Sequence, residues 1–237
     1  MEIYAHRGAS GTHPENTIAA FQEAARLPIE GVEFDVHLTK DGEVVVIHDE
    51  KINRTSNGKG LVQDMTLAEL KQYDFGSWFS EQFRGETIPT LQEVLDVFKD
   101  TNHKMNIEIK TDIYHYEGIE EKVIAIVKAN QLEERVVISS FNHESLQIVH
   151  YLQPDLEIAA LLMEAIIEPA RYLQLLNAEA LHLFLPSANR TSIKNMIADG
   201  GTVRVFTVNE VDYMKQLQAL GVSAIFTDYP EKMLQNQ

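Results

Sequence analysis

The chain has 237 residues, 44% of them hydrophobic, so it can bury a large core, and its length suits a single α/β barrel. A formal net charge of −16 excludes a broadly basic surface, and we therefore expect no nucleic acid and no anionic membrane as a non-specific partner. Because there are no cysteines, disulfides and thiolate metal sites are excluded, and any metal must be bound through oxygen or imidazole.

The sequence also bears on where the protein works. No stretch is apolar over the ~20 residues that a membrane span needs, and no basic segment followed by an apolar run precedes the first predicted strand. We therefore expect a cytoplasmic protein without stable membrane association. The sequence leaves the oligomeric state open.

The first predicted elements are a strand, a loop and a helix. Ile3–Ala5 is a short apolar strand that ends in His6-Arg7-Gly8. After a loop rich in Gly, Ser and Thr, either Asn16 or Thr17 caps a helix. The second strand covers Val32–Val36.

The connection after this strand decides the local topology. Lys40-Asp41-Gly42 is typical of a hairpin turn, and a parallel crossover needs a dozen or more residues. The apolar run Val44–Ile47 must therefore return antiparallel. This return brings His48 back near the end of the strand that carries Glu33 and Asp35.

Residues 49–88 lack a regular period, and we predict a small insertion within one domain that spans 1–237. A polar loop opens the insertion, and Thr66 is predicted to cap a short helix over Leu67–Tyr73. Trp78, Phe79 and Phe83 are assigned to the core of the insertion rather than to a substrate platform.

From Pro89 onward, strands alternate regularly with helices. Predicted strands cover Met105–Ile109, Val136–Ser139, Ile158–Leu162, Ala180–Phe184, Thr202–Thr207 and Ala224–Thr227. Predicted helices cover Leu91–Phe98, Tyr116–Asn130, Asn142–Leu152, Glu168–Leu176, Arg190–Ala198 and Glu210–Leu220. With the first two strands this gives eight parallel strands, which favours a closed (β/α)8 TIM barrel with a small insertion after strand 2.

Three carboxylates stand where a barrel strand should be apolar. Glu33 and Asp35 are two residues apart and point to the same face of their strand, where their charges repel each other and lose hydration. Glu108 lies at the end of the third barrel strand. A divalent cation removes the repulsion, and an all-carboxylate set suits Mg²⁺, Mn²⁺ or Ca²⁺ rather than Zn²⁺.

Cationic groups and imidazoles share the same barrel rim. Arg7 and Lys110 end the first and third strands and are the usual partners of a phosphate. His6 and His48 can divide the roles of general base and general acid. The pattern therefore predicts metal-assisted chemistry on a phosphodiester.

At this point the chain resembles the glycerophosphodiester phosphodiesterase family, in order from residue 6 to residue 230. The matching motifs are His6-Arg7-Gly8, Pro14-Glu15-Asn16-Thr17, Glu33-x-Asp35-Val36, Thr39-Lys40-Asp41-Gly42, His48-Asp49, Arg54-Thr55, Ile88-Pro89-Thr90-Leu91, Glu108-Ile109-Lys110, Ser140-Phe141-Asn142, Thr207-Val208-Asn209 and Thr227-Asp228-x-Pro230.

The resemblance implies a TIM barrel that hydrolyses glycerophosphodiesters to glycerol 3-phosphate and an alcohol. It places the metal on Glu33, Asp35 and Glu108, the catalytic pair on His6 and His48, and phosphate binding on Arg7 and Lys110. The family often has Trp where this chain has Phe206, so we expect Phe206 to form an aromatic pocket wall.

His182 lies on a predicted barrel strand and is a further candidate for the pocket wall. The other histidines are expected at the surface, namely His13, His37, His103, His115, His143 and His150.

Two alternatives remain open at this stage. A lipid-directed relative would cleave lysophospholipid or phosphoinositide headgroups, and it should show an exposed apolar rim or a basic membrane face, of which the sequence gives no clear sign. A catalytically silent barrel would act as a binding module and should lack a histidine or carboxylate of the set, yet all five are present.

Overall fold

The computed structural model describes residues 1–237, and its centre is a closed barrel of eight parallel strands with helices between them. The ring closes because the first strand of the chain pairs in parallel with both the second strand and the last strand. The strands are β1 (Glu2–His6), β2 (Gly31–Leu38), β3 (Val44–Val46), β4 (Lys104–Ile109), β5 (Val136–Ser140), β6 (Glu157–Leu162), β7 (Ala180–Phe184), β8 (Thr202–Phe206) and β9 (Ala224–Thr227). The predicted fold class is thereby confirmed.

Nine helices accompany the strands, most of them as crossovers on the outside of the barrel. They are α1 (Ile18–Arg26), α2 (Leu67–Leu70), α3 (Leu91–Phe98), α4 (Ile119–Ala129), α5 (His143–Leu152), α6 (Pro169–Leu176), α7 (Thr191–Ala198), α8 (Val211–Leu220) and α9 (Pro230–Leu234). No helix combines the length and the apolar character that crossing a membrane requires.

The strand β3 is the one strand outside the barrel wall, and it pairs antiparallel with β2 as the hairpin turn predicts. Gly42 occupies the left-handed region with φ 81°, and its N–H donates to the carbonyl of Thr39 over 2.9 Å. This tight turn fixes the register that carries the chain from β2 back to His48.

The alternation of side chains along β2 separates the core from the site. Val32, Phe34 and Val36 point outward into the main hydrophobic cluster between strands and helices. Phe34 meets Phe21 of α1 edge-to-face, with 5.5 Å between ring centroids. Glu33 and Asp35 consequently point into the barrel.

Helix starts follow local capping chemistry. Thr17, not Asn16, caps α1 by accepting a hydrogen bond from the N–H of Ala20. The starts of α2 and α3 each carry a complete capping box, formed by Thr66 with Glu69 and by Thr90 with Glu93. Each cap therefore marks the residue at which its helix begins, in the loop that precedes the helix.

The segment 49–88 packs over the hairpin rather than around its own aromatic residues. The buried cluster that it forms with the hairpin consists of Val45, Ile47, Ile52, Val62, Leu70, Phe75 and Ile88. Trp78 and Phe79 meet edge-to-face but lie outside that cluster, and Trp78 is 40% exposed. The assignment of Trp78, Phe79 and Phe83 to the core of the insertion was therefore wrong, because β3 already supplies the apolar surface that the segment covers.

Candidate active site

The carboxyl ends of β2 and β4 bring three buried carboxylates together. Asp35 pairs in register with Glu108, and Glu33 lies two residues earlier on the same face. Oxygen atoms of Glu33, Asp35 and Glu108 all lie within 4.8 Å of one another. The structure thus assembles the set of carboxylates that the sequence predicts.

The electrostatics of this cluster show an excess of negative charge. Burial and repulsion from Asp35 raise the pKa of Glu33 and that of Glu108. Burial also acts on Asp35, but the charges of Arg7, His48 and Lys110 hold the pKa of this carboxyl well below its usual range. Three buried carboxylates with hard oxygen donors therefore fit a divalent cation of the Mg²⁺, Mn²⁺ or Ca²⁺ type.

His6 ends β1 and is oriented by an aspartate from the far end of the chain. Its Nδ1 lies 2.7 Å from Oδ1 of Asp228, which follows β9. Asn209 and Ser10 donate further hydrogen bonds to Asp228, over 2.7 and 3.0 Å. The Nε2 atom of His6 faces the carboxylates, 3.9 Å from Glu33. Burial, together with the neighbouring Arg7, lowers the pKa of His6.

His48 follows β3 and is oriented by its immediate neighbour. Its Nδ1 lies 2.7 Å from Oδ1 of Asp49. Arg54 donates from Nε and Nη2 to Asp49, over 2.7 and 3.0 Å, and from both Nη atoms to Glu15. A fork of this kind fixes the carboxylate in plane, so His48 rests on a rigid ion-pair chain.

A second support for His48 comes from His37, and here the sequence expectation was wrong. His37 is fully buried, and its Nε2 donates to the backbone carbonyl of His48 over 3.0 Å, while its Nδ1 lies 2.9 Å from the hydroxyl of Tyr116. His103 is also buried and bonds to the carbonyl of Leu27. The two-residue period that places Glu33 and Asp35 inside the barrel continues to His37 and could have predicted its burial, whereas His103 precedes β4 and carries no such signal.

Arg7 lies in a turn whose backbone is in the left-handed region. Arg7 and Gly8 both have positive φ, 56° and 78°, and a Cβ on Gly8 would stand 2.8 Å from the backbone of Ala20. This turn directs the N–H of Arg7 to Glu33 over 3.0 Å. The guanidinium donates from Nη1 to Glu15 over 2.9 Å, and its Nε lies 3.5 Å from Asp35.

Lys110 lies beside Glu108, as the spacing predicts. Its Nζ donates to Glu108 over 2.9 Å and lies 5.8 Å from the ring centroid of Phe141. Burial disfavours the charged ammonium, but Glu108 and Asp35 outweigh it and raise the pKa of Lys110, which stays cationic. Ser140 fastens this strand end by donating to the carbonyl of Ile109 over 2.7 Å.

Asn16 belongs to the site rather than to a helix cap. Its φ is 56°, and its Nδ2 donates to Asp35 over 2.9 Å. The sequence predicts Asn16 as one of two candidate caps of α1, a role that Thr17 takes instead. The left-handed backbone of Asn16, which a pattern of residue types does not reveal, turns its side chain toward β2.

Two cavities adjoin these residues. One, of about 230 Å³, is lined by His6 and Arg7 together with Phe79 and Tyr229. A smaller one, of about 20 Å³, is lined by His6, Glu33, Asn106, Glu108, Leu161, His182, Phe206 and Phe226. Phe206 and His182 therefore border the carboxylates, and Phe79 faces the rim of the site.

The rim of this barrel carries carboxylates that suit a hard cation, cationic side chains and oriented imidazoles. Such a combination is typical of a phosphoric ester hydrolase. The model of the glycerophosphoryl diester phosphodiesterase family matches residues 6–232, and the chain belongs to this family. The protein is accordingly an enzyme, a phosphoric diester hydrolase of the glycerophosphodiester phosphodiesterase type.

Individual relatives agree over nearly the whole chain. A glycerophosphodiester phosphodiesterase of Bacillus altitudinis is 45% identical over 98% of this chain and 96% of the relative. One from Caldanaerobacter subterraneus is 44% identical over the same shares. Among solved structures, an Oleispira antarctica phosphodiesterase in complex with the product sn-glycerol-3-phosphate has a TM-score of 0.90 and 33% identity, covering 100% of this chain and 96% of that one.

Proposed function

We propose that this enzyme hydrolyses glycerophosphodiesters to glycerol 3-phosphate and an alcohol, with one divalent metal ion on Glu33, Asp35 and Glu108 and with His6 and His48 as general acid and base. The observation that carries the proposal is the pair of imidazoles, each with Nδ1 on an aspartate, at the same end of the barrel as three clustered carboxylates. The product named for the Oleispira antarctica structure supports the same substrate class.

The residues divide the chemistry among them. Arg7 and Lys110 bind the phosphate oxygens, since both stay cationic and only Nη1 of the Arg7 guanidinium donates a hydrogen bond to another side chain. When bound, the divalent cation supplies Lewis-acid polarisation of a phosphoryl oxygen. Its three carboxylates are otherwise held in place by Arg7, Asn16 and Lys110.

Proton transfer falls to the two histidines. One imidazole Nε2 accepts the proton of the nucleophile as its oxygen bonds to phosphorus, and the other Nε2–H gives a proton to the alcohol oxygen as its bond to phosphorus breaks. Asp228 and Asp49 hold the Nδ1–H of each ring and stabilise the charged form. The nucleophile is either water or the glycerol 2-hydroxyl, which would react through a cyclic phosphate. Either ring can act first as the base.

The test is turnover of glycerophosphocholine and glycerophosphoethanolamine by purified protein, followed as glycerol 3-phosphate, with EDTA or with added Mg²⁺, Mn²⁺ or Ca²⁺. We expect EDTA to abolish turnover, and His6→Ala or His48→Ala to lower kcat by roughly 10²- to 10⁴-fold. His115→Ala is the matched control, because His115 is exposed. Undiminished turnover in either of the first two variants would overturn the acid–base assignment.

The metal assignment has its own measurement. Isothermal titration with Mn²⁺ should show one site in the wild type and none in the double variant Glu33→Gln, Asp35→Asn. Equal binding by both proteins would contradict the proposed ligand set, whatever the activity assay shows.

One observation favours a second candidate substrate, a glycerophosphodiester that carries an acyl chain. The loops after β4 and β6 expose Ile113, Met163 and Ile167 at the same barrel end as the site, although no apolar rim was evident from the sequence. Comparing lysophosphatidylcholine with glycerophosphocholine in the same assay decides it. A higher kcat/KM for the lysolipid would make the acyl compound the preferred substrate.

A further inference from the structure

A chain of polar side chains, buried from Arg204 inward, runs through the barrel interior from its amino-terminal end toward the carboxylates. Glu157, at the start of β6, accepts a hydrogen bond of 2.6 Å from Nη2 of Arg204 on β8. Nη1 of Arg204 in turn donates to Nε2 of His182 on β7, over 3.1 Å. His182 is fully buried, and its ring packs on Phe226 with 5.0 Å between centroids. Both the position and the plane of this imidazole are therefore fixed.

This chain also determines where the proton of His182 lies. A guanidinium can only donate, so Nε2 of His182 must be the acceptor and Nδ1 must carry the hydrogen. Burial and the charge of Arg204 lower the pKa of His182 well below its usual value, which agrees with a neutral ring. The Nδ1–H is a buried donor without an acceptor among the protein atoms.

A second unpartnered group belongs to the same small cavity. Asn106, on β4 and two residues before Glu108, is buried and donates from Nδ2 to Ser139 over 2.9 Å. Its Oδ1 is buried without a partner. His182 and Asn106 both line the cavity of about 20 Å³ that Glu33 and Glu108 also border. That volume suits one water molecule, and the cavity offers the two or more polar partners that a buried water needs.

We propose that His182 is a positioning residue of the metal carboxylates, acting through one ordered water that it shares with Asn106 and with the side chains of Glu33 and Glu108. His182 Nδ1–H donates to the water oxygen, and the water donates to carboxylate or amide oxygens around it. The inference rests on the metal site proposed above.

The carboxylates have oxygens to spare for this contact. The N–H of Arg7 engages Oε2 of Glu33, and Lys110 engages Oε1 of Glu108, which leaves one oxygen on each without a protein hydrogen bond. A water fixed from below by His182 restrains the rotation of both side chains. Partners of this kind behind metal ligands typically change metal affinity by 10- to 100-fold when they are removed.

The first test is structural and needs no activity. A high-resolution crystal structure of the wild type should show a water within hydrogen-bond distance of His182 Nδ1, and ¹⁵N NMR of histidine-labelled protein should report the Nδ1–H tautomer. In Arg204→Met, which removes the donor to Nε2, the tautomer should become mixed. An Nε2–H tautomer in the wild type, or a dry cavity, would overturn the proposal.

The second test is metal affinity, measured by isothermal titration of metal-free protein with Mn²⁺. His182→Phe should weaken Kd about tenfold or more, and His182→Gln, whose amide both accepts and donates, should recover most of that loss. Leu161→Val is the matched control, because Leu161 lines the same cavity and has no polar side chain. We expect its Kd to stay within about twofold of the wild type.

The outcomes separate the two proposals. If the wild type binds Mn²⁺ and His182→Phe binds it equally well, the positioning role fails and the metal site stands. If the wild type binds none, the metal site fails and the positioning role with it. If His182→Phe does not fold, His182→Ala takes its place with the same expected loss of tenfold or more, and a Kd within twofold of the wild type in His182→Ala would overturn the positioning role.

Discussion

At the scale of single residues, His6 and His48 each have an aspartate as immediate partner, but the two aspartates lie in different surroundings. Asp228 accepts hydrogen bonds from Asn209 and Ser10 inside the rim. Burial raises the pKa of Asp228, but the hydrogen bonds from His6 and Asn209 outweigh it and lower the pKa to about 2. Asp49 is held by Arg54, whose side chain is 44% exposed. The orientation of His48 therefore depends on ion pairs at the surface, which are easier to change by mutation than the buried contacts around His6.

We expect Asp49→Asn to lower kcat by roughly 10²-fold with little change in KM, because the amide can hold His48 in the wrong tautomer and no longer stabilises its charged form. Steady-state kinetics with glycerophosphocholine measure both constants. Asp64→Asn is the control, since Asp64 is an exposed aspartate of the same segment. A kcat within twofold of the wild type would mean that Asp49 does not orient the ring.

The sequence was sufficient to predict the site residues whose side-chain direction follows from their position on a strand. Glu33, Asp35, Glu108 and Lys110 follow from the two-residue period, and His6 and His48 from the ends of strands. It missed what depends on contacts across the chain. The links from Glu15 to Arg54 and from Asn16 to Asp35 span 39 and 19 residues, and no local pattern encodes them.

At the scale of elements, β2 has two buried faces with opposite chemistry. Its outward face is apolar and packs on α1, and its inward face carries the acids. The first face supplies the stability that offsets the unfavourable burial of the second. A change on the outward face should therefore affect folding and leave the chemistry of the folded molecules intact.

Phe34→Ala tests this division. It removes a fully buried ring that contacts Phe21, and we expect a loss of about 3–5 kcal/mol in the free energy of unfolding. Urea denaturation measures the loss, and kcat per folded molecule should change little. Tyr151→Ala, at a position where the ring is 85% exposed, should stay within about 0.5 kcal/mol. A loss below about 1 kcal/mol at Phe34 would contradict this assignment of the core.

The segment 49–88 has a polar centre in Asp74. Its carboxylate accepts hydrogen bonds from the N–H groups of Gly76, Ser77 and Gly85 and from the hydroxyl of Ser77. Partial burial raises the pKa of Asp74, but these donors outweigh it and hold the pKa well below its usual range. The turn bonds in this segment therefore depend on an ionised Asp74.

The pH dependence follows from that direction. A depressed pKa in the folded state contributes stability that is fully present above the unfolded value of 3.8 and is lost as the pH falls toward the folded pKa. We expect Asp74→Asn to lower stability at pH 7 by about 2 kcal/mol and to flatten the decline below pH 4. Urea melts from pH 3 to 7 measure both, with the exposed Asp100→Asn as control. Parallel curves for wild type and Asp74→Asn would rule the role out.

At the scale of the whole molecule, the acidic character of the chain continues into the barrel. The net charge is −16, and three of the acidic groups converge at one buried point. Composition alone did not distinguish these three from a solvated acidic surface; their alternation with apolar residues on β2 and β4 did. Such a cluster is unfavourable for folding without a cation, so if the proposed metal site is correct we expect a bound cation to raise the stability of the fold.

Glu33→Gln tests that coupling. Removing one of three repelling charges keeps an oxygen for the N–H of Arg7, so we expect the metal-free variant to be more stable than metal-free wild type by about 1 kcal/mol, or 2–4 °C in Tm. Mn²⁺ at 100 times its Kd should stabilise the wild type by about 2.7 kcal/mol, a rise of several degrees, and the variant far less.

Differential scanning calorimetry with EDTA and with Mn²⁺ measures both effects, and Glu144→Gln, an exposed glutamate, should behave as the wild type in each. The two signs must be opposite, higher Tm without metal and a smaller rise with it, because the same charge destabilises the empty cluster and binds the cation. An undiminished rise in Glu33→Gln would show that the ion binds elsewhere. A lower Tm in EDTA would show that Arg7, Lys110 and Asn16 already balance the three carboxylates without a metal.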